Sequence, residues 1–553
     1  MYRFVFILFI ALLISGSLFA QNHMDIMTTM SGERNYSKMG FVMTTLDWNG
    51  DGHDDLVVSS NNWKPVEYQS DPYIMPFGKL YFYMGGSSFD NAPEMVIPGS
   101  YQNEYRLTTS MCNAGDMNAD GFDDLALFRA TMYEGTSTSH YDLQLCIFYG
   151  GVNPDTIPDY ILTFPREEWS NTYCFVRGLG DINHDGHDEL GYILNNKINT
   201  DQGRIGIIQG ENHENVVFRD LDDTRESIDV VGLGDVNFDG IDDFCLGYGY
   251  GPWENLYHRV VLFFGNSTGT YNDSLVICDN SEIISAFSYP AGDINWDGYP
   301  DFVSSYSSSG AKIYFGGPGF DGTQNVTFNP PYNGAWNGEG FAHGDVNGNG
   351  TDDLMGTFVT QADGYGDAYL WMGGVPMNGI TDLHITPPSL PWPVMIDAEM
   401  FGFCLTMGDY NADGYCDAAI SAPFDYGGGD GSLGYVFVYA GNPLLNDPTH
   451  VIDDNTPIAS KMQLFPNPLQ PSKENLNVKF ITPLNPPSGR GVESSTFEIY
   501  NIRGQKVKSF IITAEQTKAG AASFNLPDLP TGVYFCIFAN GNLQLKEKIT
   551  IVR

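Results

Sequence analysis

Short apolar runs recur along the first 450 residues, rich in β-branched and aromatic side chains and each stopped by Gly, Pro, Asn or Asp. Such runs predict strands and no helix. They fall into a fourfold rhythm. One run follows each of seven acidic turns, at residues 55–60, 124–130, 189–194, 243–248, 301–306, 353–358 and 417–423. A second, usually aromatic and ending in Gly, occupies 78–86, 143–151, 203–210, 259–265, 311–317, 367–374 and 434–441. A third short run follows, as at 93–99, 159–164, 214–220 and 449–454, and a fourth leads into the next acidic turn, as at 174–181. Four-stranded units repeated radially make the blades of a β-propeller, and seven lies within the usual range of four to eight. Residues 23–30 read as a strand without a blade of its own; we expect this segment to pair with the last blade and close the ring.

The acidic turns share one pattern, Asp-x-Asn-x-Asp/Asn-Gly-x-x-Asp/Glu, at successive spacings of 69, 65, 54, 58, 52 and 64 residues. Calcium takes six to eight hard oxygens, and oxygen side chains at positions 1, 3, 5 and 9 converge only if the turn is tight. Gly at position 6 supplies the sharp backbone bend, and position 7 offers its carbonyl. In chain order the candidate ligands are Asp47, Asn49, Asp51, His53 and Asp55; Asp116, Asn118, Asp120, Phe122 and Asp124; Asp181, Asn183, Asp185, His187 and Glu189; Asp235, Asn237, Asp239, Ile241 and Asp243. They continue with Asp293, Asn295, Asp297, Tyr299 and Asp301; Asp345, Asn347, Asn349, Thr351 and Asp353; and Asp409, Asn411, Asp413, Tyr415 and Asp417. His53 and His187, at position 7, are expected to give carbonyls only, with solvated imidazoles. The helix-loop-helix calcium hand ends in Glu at position 12; here the last carboxylate is at position 9 and a strand follows at once. Up to seven structural Ca2+ are expected, at roughly 0.1–1 mM affinity as in extracellular modules. The Asp345 loop, with Asn349 in place of a carboxylate, should be the weakest.

Charge divides the chain. Of its 553 residues, 68 are Asp or Glu and 26 Lys or Arg, a net −42. Residues 1–455 carry −47 and residues 456–553 carry +5. The acidic balance argues against nucleic acid and anionic membrane surfaces as partners, since both need basic footprints. Hydrophobic residues at 42% exclude a wholly disordered chain, and the length exceeds what one core supports. Arg3, the apolar stretch 4–14 and the small residues up to Ala20 read as a signal peptide over 1–20. No later stretch is long and apolar enough to span a membrane. Eight scattered cysteines form no CxxC pair or disulfide framework; Cys404 with Cys416 is the one nearby pair worth testing.

The Asp-rich turns within four-strand units resemble the FG-GAP repeats of the integrin α-subunit propeller and of many secreted bacterial proteins, over roughly residues 21–455. Phe401-Gly402 and Ser421-Ala422-Pro423 preserve the name-giving segments best, the first copy has Gly40-Phe41 reversed, and most other copies have lost one or both. The resemblance implies that the Asp-rich loops bind calcium. From Lys461 onward the chain resembles a type IX secretion sorting domain of the A class, through Pro466-Asn467-Pro468, Tyr500-Asn501-x-x-Gly504 and Leu529-Pro530-x-Gly532-x-Tyr534. That resemblance, over 456–553, implies a small immunoglobulin-like sandwich, recognition by the type IX machinery, and release or attachment at the outer-membrane surface. A carbohydrate-binding or spacer sandwich is the alternative for this unit.

The fold class expected is therefore all-β, a seven-bladed β-propeller followed by a small immunoglobulin-like β-sandwich, exported as a monomer. Loops opposite the acidic turns are aromatic, with Trp63, Tyr68, Tyr73, Tyr133, Tyr141, Trp169, Tyr173, Tyr248, Tyr250, Trp253, Tyr257, Tyr332, Trp336 and Trp392 beside Glu67, Glu167, Glu168 and Glu254. Exposed rings suit a glycan or extracellular protein ligand; half of them are expected to pack between blades instead. HExxH and the phosphate loop are missing from the sequence, and with no helix expected, no Gly-rich segment joins a strand to a helix as the G-x-S-x-G elbow and the dinucleotide fingerprint require. The leading function is a binding or adhesion module. A polysaccharide-active enzyme and a structural matrix component are the alternatives.

Overall fold

The computed structural model describes residues 23–33, 37–66, 77–99, 105–132, 141–165, 174–194, 203–210, 212–221, 229–250, 257–280, 287–305, 311–328, 336–359, 366–374, 377–388, 400–424, 433–443 and 445. Farther along it describes 462–465, 476–480, 495–501, 506–512, 521–526, 529–540 and 543–551. The expected signal segment 1–20 lies outside these residues. Two compact units emerge, Met1–Thr449 and His450–Arg553.

The first unit begins with β1 (Ile26–Ser31). Blade 1 is β2 (Met39–Leu46), β3 (Asp55–Ser60), β4 (Lys79–Tyr83) and β5 (Met95–Pro98). Blade 2 is β6 (Tyr105–Gly115), β7 (Asp124–Met132), β8 (Tyr141–Phe148) and β9 (Tyr160–Phe164). Blade 3 is β10 (Cys174–Gly180), β11 (Glu189–Leu194), β12 (Gly203–Ile208) and β13 (Asn215–Leu221). Blade 4 is β14 (Asp229–Gly234), β15 (Asp243–Tyr250), β16 (Tyr257–Phe263) and β17 (Ser274–Asn280). Blade 5 is β18 (Phe287–Gly292), β19 (Asp301–Ser305), β20 (Ala311–Tyr314) and β21 (Val326–Phe328). Blade 6 is β22 (Trp336–Gly344), β23 (Asp353–Val359), β24 (Gly366–Trp371) and β25 (Leu383–Ile385). Blade 7 has β26 (Leu405–Gly408), β27 (Asp417–Ala422) and β28 (Tyr435–Tyr439) from its own stretch of chain.

Each of these is a four-stranded antiparallel sheet, and the fourth strand of blade 7 is β1. Met30 pairs with Val436 and Thr29 with Phe437. The expected closure is therefore present: the N-terminal strand completes the last blade. The strand before each acidic turn is the innermost of its sheet and the strand after it the second. Innermost strands touch in a cycle, β2 to β6, β10, β14, β18, β22, β26 and back to β2.

Packing explains why the second strands show no alternation of apolar and polar residues. Every residue of β3, β11, β23 and β27 is buried, because each lies between two neighbouring sheets, where alternation has no solvent face to serve. Seven apolar clusters fill the seven blade interfaces. Leu46, Phe82, Leu125 and Phe148 join blades 1 and 2, and Met30, Leu56, Tyr81 and Val438 join blades 7 and 1. All eight cysteines are free thiols. Cys404 and Cys416 thus form no bridge, and buried Cys146 and Cys245 act as small hydrophobes.

The second unit holds a three-stranded sheet, β30 (Leu476–Phe480) between β29 (Met462–Phe465) and β33 (Ala521–Phe524). Its four-stranded sheet orders β32 (Lys506–Ile512), β31 (Ser495–Asn501), β34 (Gly532–Asn540) and β35 (Leu543–Ile551). One core joins Leu476, Val478 and Phe524 of the first to Phe497, Ile499 and Ile549 of the second. Phe497 and Phe524 stack at 4.7 Å.

Candidate metal-binding loops

The seven acidic turns each join the first and second strands of a blade, so all lie on one face of the ring. Each is built from its own sequence. The position-1 carboxylate accepts the backbone N–H groups of positions 5 and 6 in every copy, at 2.7–3.1 Å. Position 5 accepts the N–H of position 7 in every copy, at 2.7–3.2 Å. In six copies the Asn at position 3 also accepts the N–H of position 5. Copy 3 differs: Asn183 donates to Glu189 at 2.8 Å, the longer acid reaching where Asp does not, and its buried Oδ1 is left without a partner. The position-6 glycines have φ of 85–93°. An added Cβ at Gly298 would meet nothing within 4 Å, so glycine is required there for its backbone conformation and not for space.

The position-9 carboxylates are the buried members. Asp55, Asp124, Glu189, Asp243, Asp301, Asp353 and Asp417 are all buried. In six of them one oxygen accepts a backbone N–H within the turn, as Asp301 does from Ile294 at 3.1 Å. The other holds a Gly that follows the third strand, as Asp301 holds Gly316 at 2.9 Å. Burial, with the negative charge at positions 1 and 5, pushes these acids up to about 7 at Asp55, Asp124, Asp243 and Asp417 and about 8 at Glu189 and Asp301. Asp353, hemmed in by burial and Asp345, is also raised well above its ordinary value.

Among the described residues no group of three or more His, Cys, Asp or Glu side chains is placed to hold a metal ion. The turn's oxygens are directed at its own N–H groups. The donor chemistry nonetheless fits a hard cation: oxygens only, excess negative charge drawn into one turn, and a buried Asp417 Oδ2 without a partner. Position 1, 3 and 5 side chains, the position-7 carbonyl and the position-9 carboxylate would hold such an ion, which would offset part of that charge.

Sequence reading missed three positions of these turns. Position 2 (Trp48, Met117, Ile182, Val236, Ile294, Val346, Tyr410) is completely buried and plugs a blade interface; its periodic apolar character was the available signal. Position 8 ties neighbouring turns together. Asp123, Asp188, Asp242, Asp352 and Asp54 accept the position-1 N–H of the preceding turn at 2.7–3.1 Å. The last of these, Asp54 to Asp409, runs across the ring closure. Pro300 and Cys416 replace the acid at the other two interfaces and lie against Gly234 and Gly344. Position 7 packs onto the preceding turn as well. The Phe122 and Tyr415 rings cover Gly50 and Gly348, Tyr299 meets Phe238 edge-on at 4.6 Å, and His187 Nδ1 lies 3.0 Å from the Met117 carbonyl. The expected solvated imidazole at His187 is thus corrected: it is part of an inter-blade contact.

Most of the expected aromatic binding face lies outside the described residues. Trp63 is an exception and is buried, donating to Glu33 at 3.1 Å, with the Lys79 ammonium 5.2 Å from its ring centre. It packs instead of waiting for a ligand.

Comparison with known proteins adds two family matches. Residues 47–127 match the model of an FG-GAP-like repeat, and residues 463–552 that of a secretion system C-terminal sorting domain. Integrin alpha-5 of Xenopus laevis is 31% identical over 98 residues, 18% of this chain and 9% of that protein. Integrin alpha-IIb of Mus musculus is 29% identical over 166 residues, 29% of this chain and 15% of that protein. Phosphatidylinositol-glycan-specific phospholipase D of Mus musculus is 30% identical over 121 residues, 21% of this chain and 13% of that protein. The chain thus spans only a small part of the length of these relatives. Among solved structures, the six-bladed fungal lectin of Aleuria aurantia covers 66% of this chain and 99% of its own at 10% identity, with a TM-score of 0.33. No helix among the described residues is long and apolar enough to cross a membrane. The first unit is thus a β-propeller that carries an FG-GAP-like repeat over residues 47–127, and residues 463–552 match a secretion system C-terminal sorting domain, the type IX signal that directs a protein to the cell surface or the extracellular space.

Proposed function

We propose that the protein is a calcium-stabilised binding module for a glycan or an extracellular protein, exported through its C-terminal domain. The domain limits follow the two charge regimes, with the propeller over 21–455 and the sorting domain, read as an immunoglobulin-like sandwich, over 456–553. The observation that carries the calcium reading is the sevenfold recurrence of one oxygen-rich turn, each with a buried carboxylate whose charge has no cationic partner in its turn. Burying charge without a counter-ion is costly, and seven calcium ions would add fourteen positive charges to a net −42. The binding reading is supported by a closed ring of blades that presents loops on two faces.

Calorimetric melting of the purified protein tests the metal. At 10 mM calcium, a site of roughly 0.1–1 mM affinity contributes about 1.4–2.7 kcal/mol, so the melting temperature should rise clearly over that in EDTA. Identical melts would remove calcium from the account. Retention on a panel of polysaccharides and matrix proteins, with released sugar ends assayed in parallel, tests the function. Release of new ends would replace binding by catalysis.

A further inference from the structure

Position 4 of the acidic turns is left-handed in all seven copies. Gly50 and Gly348 suit that conformation, but blades 4 and 5 place Phe238 (φ 63°) and Trp296 (φ 61°) there. Bulky side chains disfavour this backbone region, and packing does not offset it fully, since the two residues remain 58% and 47% exposed. Backbone strain kept beside exposed rings is the kind of observation from which function can be argued. Phe238 meets the edge of Tyr299 at 4.6 Å. Tyr299 in turn lines a cleft of about 370 Å³ with Phe315, Pro318, Asp321 and Asn325. The cleft lies on the face of the acidic turns, formed by blade 5's own turn and the loop between β20 and β21.

We propose that Phe238 and Tyr299, with this cleft, form a platform for a neutral glycan. The inference rests on the binding reading above and gives it a place and a ligand class. Ring faces stack on the apolar faces of sugar rings, while carboxylate and amide groups at the cleft bond hydroxyls. The cleft is of the size that holds a small sugar unit. The surrounding Asp-rich turns repel anionic polysaccharides at close range, so charge selects an uncharged ligand.

The test uses the full-length protein in calcium on an array of neutral β-glucan, mannan and galactan oligosaccharides, with alginate and a sulfated glycan as anionic controls. Phe238→Gly places glycine where the backbone favours it, so the variant should melt no lower than the parent. It should weaken neutral-glycan binding about tenfold or more, while Phe238→Tyr, which keeps an aromatic face, should retain it. Binding unchanged in Phe238→Gly would overturn the platform and leave the binding function to another surface. Capture of anionic glycans or of proteins alone would overturn the neutral-glycan assignment but not the module. Binding to nothing on the array or the wider panel would overturn both.

Discussion

At the scale of single residues, the acidic turn has a division of labour that its regular pattern conceals. Positions 1, 3 and 5 shape the turn, position 9 is buried beneath it, and position 8 reaches the preceding blade. Asp188, whose Oδ2 accepts the Asp116 N–H at 2.8 Å, should therefore matter to stability though it is no metal ligand. Asp188→Ala removes a charge-assisted hydrogen bond and should cost about 1.5–3 kcal/mol, read by urea denaturation in saturating calcium. A loss below about 0.5 kcal/mol would show that the inter-blade bond is idle. The buried acids set the pH response. Their folded values, about 7 to 8, lie above an unfolded carboxylate's. The ion-free folded chain therefore binds more protons than the unfolded chain between about pH 4 and 7, and its stability falls as pH rises through that window. In EDTA the protein should melt higher at pH 5 than at pH 7.5, and Asp301→Asn should shrink that difference. Calcium needs the ionised acids, so its stabilisation should grow over the same interval. A calcium effect independent of pH would contradict the assignment of position 9.

At the scale of elements, most strands are legible because β-branched and aromatic runs end at turn residues, and the structure keeps them close to the expected limits. Legibility stops where tertiary packing sets the roles. The run before each turn is the innermost strand of its blade, which no local pattern states. The run after it is buried along its whole length in blades 1, 3, 6 and 7 because sheets cover both its faces. The strand β1 shows what local reading can still achieve: an apolar segment without a blade of its own predicted a partner elsewhere, and the pairing of Met30 with Val436 supplies it. Deleting residues 21–31 should strip the outer strand from blade 7 and expose Tyr435–Tyr439. A sharp fall in melting temperature is expected, and an unchanged melt would show that closure contributes nothing.

At the scale of the whole molecule, seven blades closed by apolar interfaces and seven turns on one face follow from a repeat that the chain writes seven times. The regular Asp, Asn and Gly spacing determined the candidate loops, because those residues act within nine positions of one another. Sequence order likewise determined the number of units, since each unit carries its own turn. What the tertiary structure decided is everything that depends on neighbours. It assigned position 8 to the preceding turn and set His187 against Met117. It buried Trp63 and left Phe238 and Trp296 exposed on the turn face. Aromatic residues look alike in a string of letters. Whether a ring packs or waits for a partner is fixed only when another blade, dozens or hundreds of residues away, either covers it or does not.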